Sequence, residues 1–420
     1  MISRVLSAEL AEHAGRRVTI AGWVHRRRLL KTVSFLLVRD RSGVAQAVTA
    51  GDLPAEESVV RVTGTVTASP QAPGGVELAE PEIELLSRPV EPPPFDLFRP
   101  VVPATLPTVL DHAPAALRHP VLRAPLEVSA ASVAGFRAAL DRLGFTEVHT
   151  PKIVASATES GANVFGIDYF GRPAYLAQSP QFYKQAMVGV FERVYEVGPV
   201  FRAEPHDTVR HLAQYTSLDA ELGFVRDHRD VMAVLREAVA GMVESVRERA
   251  APAVARLGAA LPAVPAEIPA VHFTEAQRMT GEDEPDLSPA QERWLSEWAW
   301  KEHGSEFLFV TGYPMAKRPF YTHPDPGRPG YSNGFDLLFR GLELVTGGQR
   351  LHRHQDYLDA LAARGERAEP YEGYLRTFAY GMPPHGGFAI GLERWTARLT
   401  GAANIRQVTA FPRDLHRLTP

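Results

Sequence analysis

The chain has 420 residues, no cysteine, 45% hydrophobic and 22% charged residues, and a formal charge of −4. That length accommodates two or three domains with a sizeable core, and the absence of cysteine excludes disulfide frameworks, thiol nucleophiles and cysteine-rich zinc sites. The slight negative charge argues against indiscriminate attraction to nucleic acid, and no apolar run nears the roughly 20 residues of a membrane span, so the expected location is cytoplasmic and any RNA contact must come from local patches.

Residues 17–25 alternate as a strand, Arg26-Arg27-Arg28 follows, and 34–39, 44–48 and 59–67 continue a series of short strands with turn residues between. This pattern predicts a small β-barrel over 1–88 in which cations meet a nucleic-acid backbone and Phe35 offers a ring for stacking. Between 89 and 120, Glu91-Pro92-Pro93-Pro94 and six further prolines argue against a continuous helix and predict a semi-rigid hinge. Apolar residues then recur at helical spacing over 129–143, Gly144 ends that helix, and 145–148 extends toward Pro151. Residues 121–420 are expected to form one domain, with a short, solvent-facing helical insertion near 227–262. The fold class is α+β with more than one domain.

Three charged clusters punctuate apolar runs in that second domain: Phe201-Arg202-Ala203-Glu204, Arg210-His211-Leu212 and Gly391-Leu392-Glu393-Arg394. The flanking runs look like strands that deliver charge into one cleft, where Arg202 and Arg394 meet phosphate oxygens in fork geometry and Glu204 accepts from an adenine amino group or a ribose. No G-x-x-x-x-G-K-[ST] occurs, and no G-x-G-x-x-G opens a helix, so side chains must hold the polyphosphate. Lysine occurs only at positions 31, 152, 184, 301 and 317, and the compact ammonium of Lys184 suits a small carboxylate in a narrow pocket. Asp336 and Glu343 lie on a strand, turn and strand, and carboxylates are the ligands Mg²⁺ accepts beside nucleotide phosphates.

These segments resemble the motifs of class II aminoacyl-tRNA synthetases, and more narrowly archaeal-type aspartyl-tRNA synthetases. Residues 136–151 resemble motif 1, a helix and strand at a homodimer interface; 201–224 resemble motif 2 and 387–399 motif 3. The likeness runs nearly the whole length, to Phe411-Pro412-Arg413-Asp414 and the closing Leu418-Thr419-Pro420. It implies an N-terminal OB-fold anticodon-binding barrel, and a catalytic domain with a mainly antiparallel sheet flanked by helices. It also implies that ATP is a substrate and Mg²⁺ the cofactor. By the same likeness Arg202 and Arg394 are catalytic, and Ala203, Glu204, Arg210, His211, Leu212, Glu343, Gly391, Leu392 and Glu393 join them around ATP. Glu159, Gln181, Lys184, Arg202, Thr346 and Arg350 surround L-aspartate, while Asp336, Glu343 and Thr346 hold the metal. Two desolvated cations, Lys184 and Arg350, would select aspartate over its amide by several kcal/mol.

In the barrel, Gly22-Trp23-Val24-His25-Arg26-Arg27-Arg28, Phe35 and Gln46 fall where the family places its anticodon contacts: Phe35 stacks, and Arg28 and Gln46 read base edges. His25 and Pro73 resemble members that accept both tRNA(Asp) and tRNA(Asn). The implied enzyme is therefore non-discriminating and linked to a separate tRNA-dependent amidotransferase. Alternatives are an enzyme strict for tRNA(Asp), an asparaginyl enzyme, a tRNA-independent asparagine-making relative and a non-catalytic RNA-binding paralogue. The chain departs from the family pattern at Leu29-Leu30-Lys31, at Gly312 and at Ala389.

Overall fold

The computed structural model describes residues 4–155, 163–281 and 283–420. The chain divides into two compact units, Met1–His119 and Pro120–Pro420.

In the first unit β1 (Arg17–Leu29), β2 (Ser34–Arg39), β3 (Val44–Thr49), β4 (Val59–Ala68) and β5 (Val76–Ser87) close a barrel in the order β1-β2-β3-β5-β4. The five strands and their order are those of an OB-fold. Alternation builds its core on β4, where Val60, Val62 and Val66 have no exposed area and Arg61, Thr63, Thr65 and Thr67 are partly exposed; on β2 Leu36 and Val38 have none either, and Leu37 and Arg39 beside them are buried as well. β5 runs parallel to β3 and antiparallel to β4. Its pattern is blurred in sequence by Pro81, beside which the β4 pairing slips between Thr63 and Thr65.

The second unit is built on an eight-stranded sheet. Its strands are β6 (Thr146–Glu147), β7 (Arg193–Phe201), β8 (Gln214–Gly223), β9 (Ala270–His272), β10 (Phe307–Thr311), β11 (Gly334–Phe339), β12 (Leu342–Arg350) and β13 (His385–Gly391). They lie in the order β9-β10-β11-β12-β13-β8-β7-β6, antiparallel except for the pairs at the two edges. Helix α1 (Pro120–Arg142) begins well before the periodic run at 129, because Pro120 and Pro125 hide its first turns. Helix α3 (His228–Arg249), expected to be part of a solvent-facing insertion, is instead central to the core: Val231, Leu235, Ala238, Val239 and Met242 are fully buried. The apolar stripe of a core helix and that of a surface helix read alike in sequence; what lies opposite the stripe decides between them.

The crossing of α1 and α3 depends on two glycines. A Cβ at Gly135 would stand 2.3 Å from the Gly241 carbonyl oxygen, and one at Gly241 2.8 Å from the Ala139 Cβ. Gly135→Ala is therefore expected to push the helices apart and destabilise the unit by about 1–3 kcal/mol, read as a lower midpoint in thermal denaturation. Two further helices position the site, α2 (Gln181–Phe191), and α5 (Leu392–Thr400), which follows β13 without a loop; α4 (Pro289–His303) flanks β12. Trp395 on α5 is fully buried, and its Nε1–H donates to Ser132 Oγ on α1 at 2.9 Å.

Candidate active site

β7 and β8 pair antiparallel from Arg193↔Leu222 to Phe201↔Gln214, and the loop between them carries Arg202, Arg210 and His211. β13 lies beside β8, with Ser217 opposite Gly391, and β12 beside β13, with Thr346 opposite Ala389. This register gathers Arg202, Arg210, His211, Glu343, Thr346 and Arg394 around one cleft, as the sequence reading requires. The Arg202 guanidinium lies 5.6 Å from the centroid of Tyr215. Three arginines facing one partly enclosed space suit a polyphosphate, since each keeps its charge at any working pH.

His211 is neutral here. Burial, then the cationic Arg394 and its neighbours, lowers its pKa to about 4, and its Nδ1 lies 2.6 Å from Thr208 Oγ1. It is suited to holding a ligand or a loop, not to carrying a proton.

The other residues assigned to ATP divide. Leu212 and Gly391 line the cleft. Glu393 does too, but both its oxygens accept from the Thr216 N–H at 3.0 Å, so it ties α5 to β8. Leu392 is a correction: its side chain belongs to the hydrophobic core, because the residue that opens α5 turns inward beneath the sheet. Ala203 and Glu204 sit on the β7–β8 loop outside the cleft lining, with the Ala203 N–H bonded to the Asn163 carbonyl at 3.2 Å. Glu159 lies outside the described residues.

Beyond Ser217, which lines the cleft, lies a buried ionic cluster. Ser217 Oγ donates to Asp219 Oδ2 at 2.5 Å; Asp219 Oδ1 and Glu221 Oε2 are 3.0 and 3.3 Å from Lys184 Nζ; Glu221 Oε1 accepts from Arg350 Nε at 3.0 Å. Lys184, Asp219 and Glu221 are at most 1% exposed and Arg350 7%. Lys184 and Arg350 also donate to the carbonyls of Phe388 and Gly387. The two cations expected to select the substrate carboxylate are desolvated as expected, and two acids that the sequence reading did not place there match them. Burial pushes the Glu221 carboxyl up, but Arg350 and Lys184 outweigh it and hold it below the usual carboxylate range. Gly387 is required here, since a Cβ would stand 2.0 Å from Glu221 Oε2.

Behind this cluster Gln185 donates through Nε2 to Tyr357 Oη and His385 Nε2, and accepts at Oε1 from Tyr374 and from Gln181. Gln181, the first residue of α2, is thereby tied to Gln185 one turn along the same helix and is buried, as is Lys184. This network leaves His385 Nε2 as an acceptor and its Nδ1–H pointing to the Pro383 carbonyl, a neutral ring whose pKa burial lowers to about 4. A histidine whose folded pKa is depressed contributes stability above its unfolded value of 6.5, and that stability is lost as pH falls toward about 4. Thermal midpoints of the wild type should therefore fall more steeply across that window than those of His385→Gln, whatever the offset between the two proteins.

Glu343 and Thr346 lie on the far wall, Thr346 Oγ1 donating to Glu343 Oε1 at 3.0 Å. Burial and the charge of Asp336 push Glu343 up to about 7, against the pull of Arg394. Asp336, opposite Thr346 on β11, stands behind the cleft: Oδ2 accepts from Arg318 at 3.0 Å, while Oδ1 is buried without a hydrogen-bond partner. The Glu343 N–H donates to Glu292 Oε2 at 3.1 Å, adding a third carboxylate. Crowded acids and an orphaned carboxylate oxygen are what a divalent cation relieves, although the described residues form no cluster of three acid or histidine ligands that could hold one alone.

Sequence reasoning missed Ser217, Asp219, Glu221, Glu292 and Arg318. Ser217, Asp219 and Glu221 alternate with Leu218, Ala220 and Leu222, a period-two signal that reads as one solvent-facing side of a strand. Both faces of β8 are buried instead.

In the first unit, Arg28 and Phe35 are cross-strand partners on β1 and β2, with Arg28 exposed and Phe35 half-buried. Arg26, read as part of the basic patch, stacks over Phe98 at 4.4 Å. Gln46 is buried and donates to Glu77 Oε2 at 2.8 Å, and Pro73 is exposed at the start of the turn before β5. His25 Nδ1 lies 3.0 Å from Arg39 Nη1, and Arg39 pairs with Glu57 at 2.9 Å. The His25 ring is neutral, because burial and then Arg39 lower its pKa to about 4.

A strand–loop–strand and a strand–helix that converge arginines on a cleft in an antiparallel sheet define a class II tRNA synthetase core. Two comparisons agree with that class. Residues 107–415 match the family of class II tRNA synthetases for D, K and N, and residues 18–86 match the OB-fold nucleic acid binding domain. The chain belongs to this class II family. It is 50% identical to the aspartate–tRNA(Asp/Asn) ligase of Thermus thermophilus, over 99% of this chain and 100% of that one, and 48% identical to that of Deinococcus radiodurans, over 100% and 99%. Among solved structures, asparaginyl-tRNA synthetase from Pyrococcus horikoshii complexed with asparaginyl-adenylate superposes with a TM-score of 0.92 at 32% identity, covering all of both chains. Aspartyl-tRNA synthetase from Entamoeba histolytica does so with 0.88 at 29%, covering 100% of this chain and 93% of that one. Among the described residues no helix is long and apolar enough to cross a membrane.

Proposed function

We propose that the chain is an aspartate–tRNA(Asp/Asn) ligase, which activates L-aspartate with ATP and transfers it to the 3′ end of tRNA(Asp) and tRNA(Asn). The observation that carries the amino-acid assignment is the Lys184–Arg350 pair, buried one hydrogen bond beyond the cleft wall and matched by Asp219 and Glu221. A side-chain carboxylate entering past Ser217 exchanges one anionic partner of these cations for another. A carboxamide brings no charge to the exchange and loses several kcal/mol. The 50% and 48% identical relatives named for both tRNAs support the dual acceptor specificity.

The α-carboxylate of aspartate is already ionised and needs no general base. One of its oxygens bonds to the α-phosphorus as the bond to the bridging oxygen breaks, and the electron pair leaves with pyrophosphate. Arg202 and Arg394 hold the phosphates as charge spreads over them. Glu343 and Thr346 are the residues that would hold Mg²⁺, with Asp336 behind them, and the ion supplies further neutralisation of phosphate charge. In the second step the terminal adenosine hydroxyl attacks the anhydride carbonyl and AMP departs, with Arg210 and a neutral His211 keeping the adenylate in place.

The OB-fold barrel reads the anticodon, with Arg28 and Phe35 presented together, His25 and Pro73 at the third base, and Gln46 reaching a base only by leaving Glu77. The protein works in the cytoplasm as a homodimer through the segment 136–151, and its Asp-tRNA(Asn) passes to an amidotransferase. Pyrophosphate exchange with aspartate and asparagine, followed by charging of the two purified tRNAs, tests the proposal. Preference for asparagine would overturn the amino-acid assignment, and charging of tRNA(Asp) alone would end the dual specificity. The asparaginyl reading is favoured by one observation, the 0.92 TM-score with the Pyrococcus enzyme, and the first assay decides it.

A further inference from the structure

The β7–β8 loop reaches the cleft through Arg210 and His211, yet 205–209 is exposed and carries little apolar surface of its own. A loop of this kind holds a defined geometry only if something outside it does the holding. The C-terminal segment supplies that. Its short helix Ile405–Val408 places Ile405 and Val408 against Leu212 in a small apolar cluster, and the Ile405 N–H donates to the Val209 carbonyl at 2.9 Å. Further along, the Ala213 N–H donates to the Arg413 carbonyl at 2.7 Å.

Between these anchors lies Arg406, whose side chain is 11% exposed and whose planar fork is fully engaged. Its Nε donates to Asp414 Oδ2 at 2.5 Å, its Nη1 to the Thr208 carbonyl at 3.1 Å and, at 3.5 Å, to Asn404 Oδ1, and its Nη2 to Asp207 Oδ1 at 3.3 Å. Asp414 is in turn fixed by the backbone N–H groups of His416 and Arg417, so the guanidinium is held from the tail side before it meets the loop. Thr208 is the node on the loop side: its Oγ1 accepts from the Arg210 N–H at 3.2 Å and lies 2.6 Å from His211 Nδ1. His416 Nε2 also approaches Asp207, at 3.4 Å.

We propose that Arg406 is a positioning residue for nucleotide binding: through Thr208 it clasps the loop to the C-terminal segment and sets Arg210 and His211 in the cleft. The aspartate end of the site stands on α2, β8 and β12, none of which Arg406 touches. The clasp therefore affects one substrate and not the other. This inference rests on the reading of the cleft as the ATP site.

The test is steady-state pyrophosphate exchange by the full chain, titrating ATP and aspartate separately. Arg406→Met is expected to raise the KM for ATP about tenfold and leave that for aspartate unchanged, as loss of pre-orientation at one subsite does. In an Arg210→Ala background the same substitution should add less than it does alone, because part of its effect passes through that residue and the rest through His211. Arg406→Lys, which keeps one bond to Asp414 but cannot fork, should fold as wild type and show a smaller rise in the ATP KM; it carries the test if Arg406→Met does not fold. Equal changes for both substrates, or full additivity with Arg210→Ala, would overturn the clasp. A wild type that exchanges pyrophosphate with no amino acid would instead overturn the underlying reading of the cleft.

Discussion

Arg394→Ala is expected to lower kcat for aspartate-dependent pyrophosphate exchange by about 10²–10³, as removal of a preorganised donor to developing charge does elsewhere. Arg394 sits in the first turn of α5, and that helix is fixed to the sheet by the Glu393 bonds to Thr216 and to α1 by Trp395. The guanidinium therefore enters the cleft from a rigid mount, and its loss is not made good by a neighbour moving in. Arg394→Lys separates charge from geometry. If a point charge suffices the lysine variant keeps most of the rate, and if the fork is required it falls nearly as far as the alanine variant. Wild-type kcat in Arg394→Ala would remove this residue from the chemistry.

The second large effect is expected at Lys184. Lys184→Met leaves Asp219 and Glu221 buried with Arg350 alone, and breaking a buried ion pair by removing one partner costs about 3–5 kcal/mol. A marked fall in thermal midpoint should accompany loss of aspartate activation. The double variant Lys184→Met with Asp219→Asn restores formal neutrality and should recover part of the stability but none of the activity. Stability and specificity thus separate in one experiment. Full stability in the single variant would mean that the cluster is hydrated in solution and that the discrimination argued from its dryness fails.

Much of the candidate cleft was legible before any coordinates. Arg202, Arg210, His211, Glu343 and Arg394 were each marked by a charged or titratable side chain beside an apolar run, Thr346 by the resemblance alone, and sheet register brings all six to one space. The barrel was nearly as clear: 34–39 is β2 and 59–67 falls one residue short of β4. Both depend on local rules, the period of two along a strand and the need for cations around phosphate.

What escaped was everything that depends on which surface an element meets. A polar face on β8 reads as a face toward water, and only the neighbouring β13 and α2 turn it into a buried ionic cluster. The apolar stripe of α3 reads equally well on a surface helix until Gly135 and Gly241 let α1 settle against it. Leu392 and Arg394 stand two residues apart, yet one enters the core and the other the cleft, because helix α5 begins at the strand's end and turns them to opposite sides. Composition and periodicity settle the class of each segment and the chemistry it carries. The compensation of Lys184 and Arg350 by two acids arises only when residues far apart in the chain are driven to share one desolvated space, and the bonds of Arg406 to Asp414 and Thr208 only when the C-terminal segment folds against a distant loop.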